Sequence, residues 1–448
     1  MQRYSAYKDS GVDWIGAIPE GWKICNFRYL IKVLTDYTAN GSFGDLAKNV
    51  NYIDYPSYSR LIRLTDLRKN LKDDGVYLNE KSHKYLKKSE LFGEELLMAN
   101  VGAYAGFACI MPKVDYRASL GPNMFLIKTD EKKIALNYLL HLLNSTLFWS
   151  HINTISKSAA QPKLNKDNIR ELKIIIPTSI EQKAIANFLK ENCNKIDQAI
   201  AQKEKMIGLL KERKQIMIQN AVTRGLNPAA KMKDSGVDWI GKIPEHWNTK
   251  RLRLIGNTQN GISAGAEYFG TGYPFVSYGD VYNNRELPTS VKGLANSSEE
   301  DRKQYSLEKG DVLFTRTSET VEEIGFASTC MKKIQDSTFS GFLIRFRPKT
   351  KDLCEGFSKH YFNASMLRFY FVKEMNLVTR ASLSQELLKN LTVLLPPYEE
   401  QEKIYSFIEK ESFKIKKAMA LQQKQIEKIK EYKATLIDSA VTGKIKVS

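Results

Sequence analysis

Few residues in this sequence are arranged for catalysis. There is no G-x-x-x-x-G-K-[ST] phosphate-binding loop, which argues against ATP hydrolysis on this chain. Residues 395–398 read Leu-Pro-Pro-Tyr, similar to the loop with which amino-methyltransferases bind a target amine, but the leading leucine has no hydrogen-bond acceptor. Residues 171–173 have the Glu-x-Lys spacing of nucleases without a suitably placed Pro-Asp before them. The five histidines are scattered, so we predict neither a catalytic site nor a metal site.

Basic and amide side chains beside aromatic residues offer another chemistry, the binding of nucleic acid. Lys and Arg total 68 against 50 Asp and Glu, a net charge of +18 that favours a polyanionic partner, with nucleic acid ahead of an anionic membrane surface. Arg, Asn and Gln can read base edges, and Lys mostly contacts phosphate. The candidate DNA-binding residues are Arg63, Arg68, Lys69, Tyr104, Lys157, Gln161 and Lys163 in one block, and Tyr278, Asn283, Asn284, Arg285, Arg316 and Arg380 in another. Taken singly, each is also explained as a solvated surface residue.

A long helix, repeated once, must position these blocks. Apolar residues predict a helix over residues 179–222, about 65 Å long, with a heptad seam that requires a partner helix. The seam is Leu189, Cys193, Ile196, Ile200, Ile207, Leu210, Met217 and Ala221, and an offset of 219 gives a second seam of Ile408, Ser412, Ile415, Met419, Ile426, Ile429, Leu436 and Ala440. Lys203 and Lys214 interrupt the first seam, and Gln422 and Lys433 interrupt the second at the same places.

A shorter repeat lies near the start of each half. Residues 8–16 return unchanged as residues 233–241, and an Ile-Pro-Glu and a second tryptophan follow in both copies. Nine identical residues in a row identify a true internal repeat. We favour a segment whose tryptophan pair packs against its own half of the chain, with direct contact to a ligand as the alternative. The tryptophans are Trp14, Trp22, Trp239 and Trp247.

Between the repeats lie two blocks of similar length, residues 23–176 and 248–395, which mix short strand-like runs with turns. Residues 61–67 align with 275–281, and residues 95–102 align with 311–318; apolar positions agree while polar positions differ. The predicted fold is α+β, with two mixed α/β recognition domains separated by two long antiparallel helices in a pseudo-twofold internal repeat. The predicted boundaries are 1–177, 178–224, 225–396 and 397–448.

The internal repeat suggests a pseudo-dyad that makes the helices antiparallel and places the two globular blocks at opposite ends of a rod. In the register that we predict, Leu210 meets Ile426, Ile207 meets Ile429, and Lys203 faces Lys433.

The sequence also predicts a cellular compartment. It contains no run of about 20 apolar residues and no apolar signal region after Met1. Five cysteines occur singly without a Cys-x-x-Cys pair, which is typical of free thiols in a reducing compartment. We therefore expect a soluble, cytoplasmic protein with no membrane partner.

Taken together, these features resemble the specificity (S) subunits of type I restriction-modification systems over nearly the whole chain. The resemblance is carried by the duplicated Asp-Trp-Ile-Gly-x-Ile-Pro-Glu segments, the two variable blocks and the paired helices. Both helices follow a proline, Pro177 or Pro397, and both close on Ala-Val-Thr, at 221–223 and 440–442. Early in each helix stands a Glu-Gln pair, at 181–182 and 400–401.

The resemblance implies a DNA-specificity subunit that is not itself an enzyme. Each block would be a target recognition domain for one half of a split, asymmetric target in double-stranded DNA, and the helices would set the gap and dock two methyltransferase subunits. Those subunits would bind S-adenosylmethionine and methylate adenine, and two restriction subunits would use ATP and Mg²⁺. Candidate docking residues are Trp14, Trp22, Trp239, Trp247, Gln182 and Gln401. The alternatives are a structural adaptor that presents two protein-binding domains and, less favoured, an enzyme acting alone.

Overall fold

A computed structural model describes residues 2–156, 162–318, 324–374 and 381–447 of the chain. These residues divide into two units. Unit 1 comprises Met1–Lys203 and Lys424–Ser448, and unit 2 comprises Glu204–Gln423. The long helices begin at Ser179 and Tyr398, close to the predicted boundaries, and each of them contributes one part to each unit.

Unit 1 has thirteen strands and six shorter α-helices in its described residues. The strands are β1 (Tyr7–Asp9), β2 (Ala17–Pro19), β3 (Lys23–Asn26), β4 (Ile31–Asp36), β5 (Tyr52–Ile53), β6 (Ser59–Ile62), β7 (Val76–Leu78), β8 (Glu90–Leu91), β9 (Leu96–Ala99), β10 (Ala108–Ile110), β11 (Ala118–Leu120), β12 (Met124–Thr129) and β13 (Lys173–Ile176). The helices are α1 (Phe43–Asn49), α2 (Leu64–Arg68), α3 (Glu80–Tyr85), α4 (Leu136–Leu143), α5 (Thr146–Ser156) and α6 (Lys166–Glu171), followed by the first long helix, α7 (Ser179–Arg224).

Unit 2 repeats this plan over its described residues. Its strands are β14 (Met232–Asp234), β15 (Lys242–Pro244), β16 (Asn248–Arg251), β17 (Gly256–Asn260), β18 (Phe269–Val276), β19 (Leu294–Ala295), β20 (Val312–Thr315), β21 (Thr317–Ser318), β22 (Ala327–Thr329), β23 (Thr338–Phe339), β24 (Leu343–Pro348), β25 (Ala381–Ser382) and β26 (Thr392–Leu395). Its helices are α8 (Leu252–Ile255), α9 (Tyr278–Tyr282), α10 (Glu299–Gln304), α11 (Glu355–Tyr361), α12 (Ser365–Glu374) and α13 (Gln385–Asn390), followed by the second long helix, α14 (Tyr398–Val441).

The sheets of the two units have matching topology. In unit 1 a four-stranded sheet has the order β10-β9-β12-β4, and in unit 2 the order is β22-β20-β24-β17. A second sheet contains the parallel pair β6 and β11 in unit 1, matched by β18 and β23 in unit 2. Strand β9 therefore corresponds to β20, and β6 to β18, as the sequence alignment of the two blocks predicts. The predicted α+β fold with an internal repeat is confirmed.

The nine-residue repeat folds identically in both copies. In each, a two-stranded hairpin pairs Lys8 with Ile18 or Lys233 with Ile243. The aspartate that ends the first strand, Asp9 in unit 1, accepts a hydrogen bond from the backbone N–H two residues later. The residue that donates this bond is Gly11 or Gly236, with a φ of 70° or 73°, a conformation that other residues rarely adopt. The local turn therefore gives a physical reason for the Asp-Ser-Gly found in both copies.

Both long helices contribute to the hydrophobic core of each unit. In unit 1 the core contains Leu189 from α7 and Leu436 from α14, together with apolar residues of β9, β12, α4 and α5. In unit 2 it contains Val222 from the end of α7 and Ile408 from the start of α14. The beginning of one helix thus lies with the end of the other, as two antiparallel helices require.

The helix register within unit 1 differs from the predicted one. Lys433 was expected to face Lys203, but its ammonium group lies 2.7 Å from both carboxylate oxygens of Asp197. Lys203 instead donates a hydrogen bond to the amide oxygen of Gln425, over 2.6 Å. The prediction of a Lys203–Lys433 pair is wrong, because the observed register places each lysine beside an acceptor and avoids a like-charge contact.

Each unit also ties a short helix to a long one. In unit 1 the carboxylate of Asp438, on α14, accepts hydrogen bonds from the backbone N–H and the hydroxyl of Thr146, where α5 begins. In unit 2 the amide oxygen of Gln219, on α7, accepts equivalent bonds from Ser365, the first residue of α12. The first N–H groups of a helix have no partner within the helix, so these distant side chains act as caps.

Candidate nucleic-acid interface

In unit 1, several strand ends meet at one edge of the two sheets. Asp36, the last residue of β4, pairs with Phe125, and Ala99, the last of β9, pairs with Met124, at the start of β12. The parallel strands β6 and β11 end side by side, at the paired residues Ile62 and Leu120. The loops that leave these strands, residues 37–51, 63–75, 100–107 and 121–123, form what we call the loop edge of unit 1, together with residues 163–165, of which Lys163 pairs with Val101.

Unit 2 has the same arrangement. Thr315, at the end of β20, and Asn260, at the end of β17, pair with the first residues of β24. The parallel strands β18 and β23 end nearby. Its loop edge consists of residues 261–265, 277–287, 316–318, 340–342 and 382–384. Loops at the ends of a rigid sheet are where binding side chains are commonly found.

A capping box begins the helix that follows the first parallel strand in unit 2, and one of its two bonds is present at the matching helix of unit 1. Asp280 accepts from the backbone N–H and hydroxyl of Ser277, whose own oxygen accepts from Asp280 N–H. In unit 1, buried Asp66 accepts from the backbone N–H of Arg63 and, over 3.0 and 2.9 Å, from its guanidinium. This hydrogen bonding raises the pKa of Arg63. Arg63 lies at the loop edge, but part of its guanidinium already stabilises the fold through Asp66, and its contact with DNA stays a prediction.

Other predicted residues of unit 1 also lie at the loop edge. The guanidinium of Arg68 lies over the ring of Tyr104, 4.0 Å from its centroid, and both residues are exposed. Lys69 forms an ion pair with Asp73. Lys163 pairs with Val101 through the backbone and lines a cavity of about 330 Å³.

Three of the predicted residues of unit 2 line a larger cavity of about 690 Å³. Tyr282 lines it and stacks on Tyr278 with ring centroids 5.8 Å apart. The side-chain amides of Asn283 and Asn284 donate to backbone carbonyls one helical turn earlier and, with Arg285, line the same cavity.

Arg316 follows the central strand β20. Its backbone N–H donates to the carbonyl of Phe342, and its own carbonyl accepts from Leu383 N–H. The side chain is half-buried at the loop edge. Lys157, Gln161 and Arg380 lie outside the described residues.

The structure gives an intramolecular role to four of the candidate docking residues. The indole N–H of buried Trp22 donates to Glu181 over 3.1 Å, and Trp247 is buried at the matching place in unit 2. Gln182 accepts from Ala135 N–H and donates to the carbonyl of Pro177, and Gln401 makes the matching bonds in unit 2. These four side chains are buried and help to hold their own unit together, and a docking role for them stays a prediction.

The other two tryptophans are half-buried and remain candidates for docking. Trp14 stacks on His151 with ring centroids 4.1 Å apart, and Trp239 contacts Tyr370 at 5.2 Å. Each tryptophan therefore contacts a residue of its own half, which agrees with the interpretation favoured from the sequence.

Sequence reasoning missed Asn100 as a loop-edge residue. Asn100 follows β9, and its backbone bonds to Asn123 and Leu164 match those of Arg316 in unit 2. Its amide oxygen is buried beside the smaller cavity, with no hydrogen-bond partner among the described residues. The alignment of residues 95–102 with 311–318 already placed Asn100 opposite Arg316 and could have identified it.

Comparison with known proteins explains the duplicated architecture. Residues 19–206 and residues 244–431 each match the family model described as the type I restriction modification DNA specificity domain. The chain belongs to this family. Both matches start at the Ile-Pro-Glu segment and run into a long helix, so the two specificity domains follow the internal repeat.

Relatives match this specificity-domain chain along most of their length. The specificity subunit of the type I restriction enzyme EcoKI from Escherichia coli (strain K12) is 25% identical over 408 residues, which cover 88% of this chain and 82% of the relative. The putative type I restriction enzyme MjaX specificity subunit of Methanocaldococcus jannaschii is 25% identical over 449 residues, which cover 97% of this chain and 96% of the relative.

Solved structures share the fold. One chain of a type I R-M system aligns with a TM-score of 0.68 and 16% identity, covering 96% of this chain and 99% of that one. The HsdS subunit from Thermoanaerobacter tengcongensis aligns with a TM-score of 0.56 and 14% identity, covering 96% and 98%. No helix in the described residues is long and apolar enough to span a membrane.

Proposed function

We propose that this chain is the DNA-sequence-recognition subunit of a type I restriction-modification enzyme and has no catalytic activity of its own. Each loop edge reads one half of a bipartite target in double-stranded DNA. The long helices set the gap between the half-targets and dock two methyltransferase subunits. Two restriction subunits complete the enzyme, and S-adenosylmethionine, ATP and Mg²⁺ are used by those partners.

The observation that carries this proposal is a shared strand scaffold with different side chains at its loop edges. At aligned positions unit 1 has Arg63 and Asn100, where unit 2 has Ser277 and Arg316. Two identical readers related by a dyad would bind a palindrome. Two readers with one scaffold and different loop side chains instead favour a target whose halves differ.

The charge of the chain supports DNA as the ligand. Its net charge of +18 supplies the sequence-independent attraction to phosphate that DNA-binding proteins use. Arg, Asn and Tyr side chains at the loop edges add groups that can contact bases. A structural adaptor for two proteins would not require this combination.

The decisive experiment measures DNA binding by the full chain, alone and assembled with its methyltransferase subunits, to a library of duplexes with randomised positions. We expect enrichment of one split sequence with two unlike halves. Equal binding to all duplexes at several salt concentrations would contradict the proposal and favour the adaptor.

Catalysis is tested on the same preparation. The pure chain is incubated with DNA, Mg²⁺, ATP and S-adenosylmethionine, and methyl transfer and strand cleavage are measured. We expect neither reaction, because the sequence contains no phosphate-binding loop and no amine-binding motif with an acceptor side chain. Activity that copurifies with the chain and is lost in a loop-edge variant would refute this part.

A further inference from the structure

Arg68 differs from most arginines of unit 1 in how its guanidinium is used. Four others are committed to protein acceptors: Arg28 to Glu171, Arg60 to the carbonyls of Leu71 and Asp73, Arg63 to Asp66, and Arg170 to Asp167. Within the described part of unit 1, the Arg68 guanidinium has an aromatic contact with Tyr104 and no hydrogen bond or ion pair. Its N–H groups are therefore available to a ligand.

The contact with Tyr104 orients those N–H groups. The central carbon of the guanidinium lies 4.0 Å from the centroid of the ring, the distance of a cation–π interaction. This contact holds the guanidinium beside the ring and uses none of its N–H groups in a bond to an oxygen or nitrogen acceptor of the described residues. Tyr104 is 41% exposed, so the pair is accessible from solvent.

Buried groups hold the backbone on both sides of Arg68. Asp66 caps the start of the helix that ends at Arg68, and Asp66 itself is buried. After the helix, the carbonyls of Leu71 and Asp73 accept hydrogen bonds of 3.1 and 2.9 Å from buried Arg60. The backbone position of Arg68 at the loop edge is therefore set before any ligand binds, which lowers the entropy cost of binding.

We propose that Arg68 reads a guanine, through its O6 and N7 atoms, in the half-target bound by unit 1, and that Tyr104 is its positioning residue. A planar guanidinium with two parallel N–H groups matches these two acceptors. The aligned residue in unit 2 is Tyr282, which offers no such pair of donors. This guanine contact therefore belongs to one half of the target, and the inference rests on the proposed function.

The test compares full-chain variants, assembled with methyltransferase subunits, on a duplex library in which every target position is randomised. Arg68→Ala should relax one guanine position in one half-target, lowering discrimination there by about 5- to 150-fold. Arg68→Lys keeps the charge but loses the planar fork and should relax the same position. The other half-target should be unchanged in both variants.

Tyr104 and Arg117 supply the matched controls. Tyr104→Ala should relax the same guanine position more weakly, and Tyr104→Phe, which keeps a ring, should restore discrimination. Arg117 also lies over a tyrosine ring, that of Tyr58 at 4.6 Å, but immediately precedes β11, at the opposite edge of the sheet. Arg117→Ala should leave the selected target unchanged.

Several outcomes would overturn the inference. Equal weakening on all sequences in Arg68→Ala, with a smaller salt dependence and rescue by Arg68→Lys, would make Arg68 a phosphate contact. A half-target for unit 1 without guanine, or an unaltered preference in Arg68→Ala, would also reject it. The proposed function is judged separately, because it fails only when the unaltered chain selects no split target.

Discussion

Replacement of Asp438 by alanine should loosen the recognition domain of unit 1 selectively. Asp438, on α14, accepts the backbone N–H of Thr146 over 2.9 Å and also its hydroxyl. Thr146 begins α5, whose Phe148 and Ile152 are fully buried in the core of unit 1. The variant removes the acceptor of the Thr146 N–H group, the first of the helix, whereas the Phe148 N–H group keeps its bond to the hydroxyl of Ser145.

The expected cost follows from the number and kind of bonds lost. Loss of an N-terminal cap costs about 0.5–2 kcal/mol, and loss of a negative charge beside a helix N-terminus costs about 0.3–1 kcal/mol. The Thr146 side of the contact is exposed, so water can replace part of it, and we expect about 1–2 kcal/mol in total. Since 1.4 kcal/mol is a factor of ten, amide exchange of α5 should accelerate roughly 5- to 30-fold.

Hydrogen exchange of the full chain, followed by mass spectrometry, measures this effect locally. Asp438→Asn keeps an acceptor without the charge, so its rate of exchange in α5 should lie between the rates of the unaltered chain and of Asp438→Ala. Gln219→Ala is the matched control, because Gln219 holds Ser365 at the start of α12 in unit 2 through two bonds of 3.0 Å. It should accelerate exchange in α12 and leave α5 unchanged.

Two results would refute this reasoning. Unchanged exchange of α5 in Asp438→Ala would show that the contact contributes no stability. Faster exchange of α5 and α12 to the same extent in each variant would show that both caps act through global unfolding.

Three further predictions concern recognition. The first inserts four residues at Gly208 and four at the matching position, Glu427, which should lengthen both helices by about 6 Å. The unread gap between the half-targets should then grow by one or two base pairs in genome-wide methylation maps. An active enzyme with an unaltered gap would exclude the helices as spacers. Exchange of residues 23–175 for the block of another specificity subunit should change one half of the methylated target, and a change in both halves would indicate joint reading. Arg316→Ala should relax one position of the unit 2 half-target by about 1–3 kcal/mol in library selections, whereas uniform weakening would identify a phosphate contact.

The helices and the repeat were predictable because their signals are local or repetitive. Apolar residues at heptad spacing predicted a helix over residues 179–222, and α7 runs from Ser179 to Arg224. The aligned runs 61–67 and 275–281 both contain the end of a strand and the start of a capped helix. The period and composition of a segment can be read from the sequence without knowledge of what each residue contacts.

The helix register required the tertiary structure. Seam residues repeat every seven positions, so several registers bury the same apolar side chains. The pairing of Lys433 with Asp197, which lies outside the predicted seam, distinguishes the observed register from the predicted Lys203–Lys433 contact.

The sequence by itself determined the duplicated architecture, the basic character and the set of polar residues from which a reader of DNA can be built. Only the tertiary structure decided what each of those residues does. In it, Gln182 and Gln401 are buried and bond to backbone groups. The guanidinium of Arg63 donates to Asp66, and that of Arg68 lies over the ring of Tyr104. The physical reason is that burial and partner choice depend on contacts between residues far apart in the chain, and residue type alone does not encode those contacts.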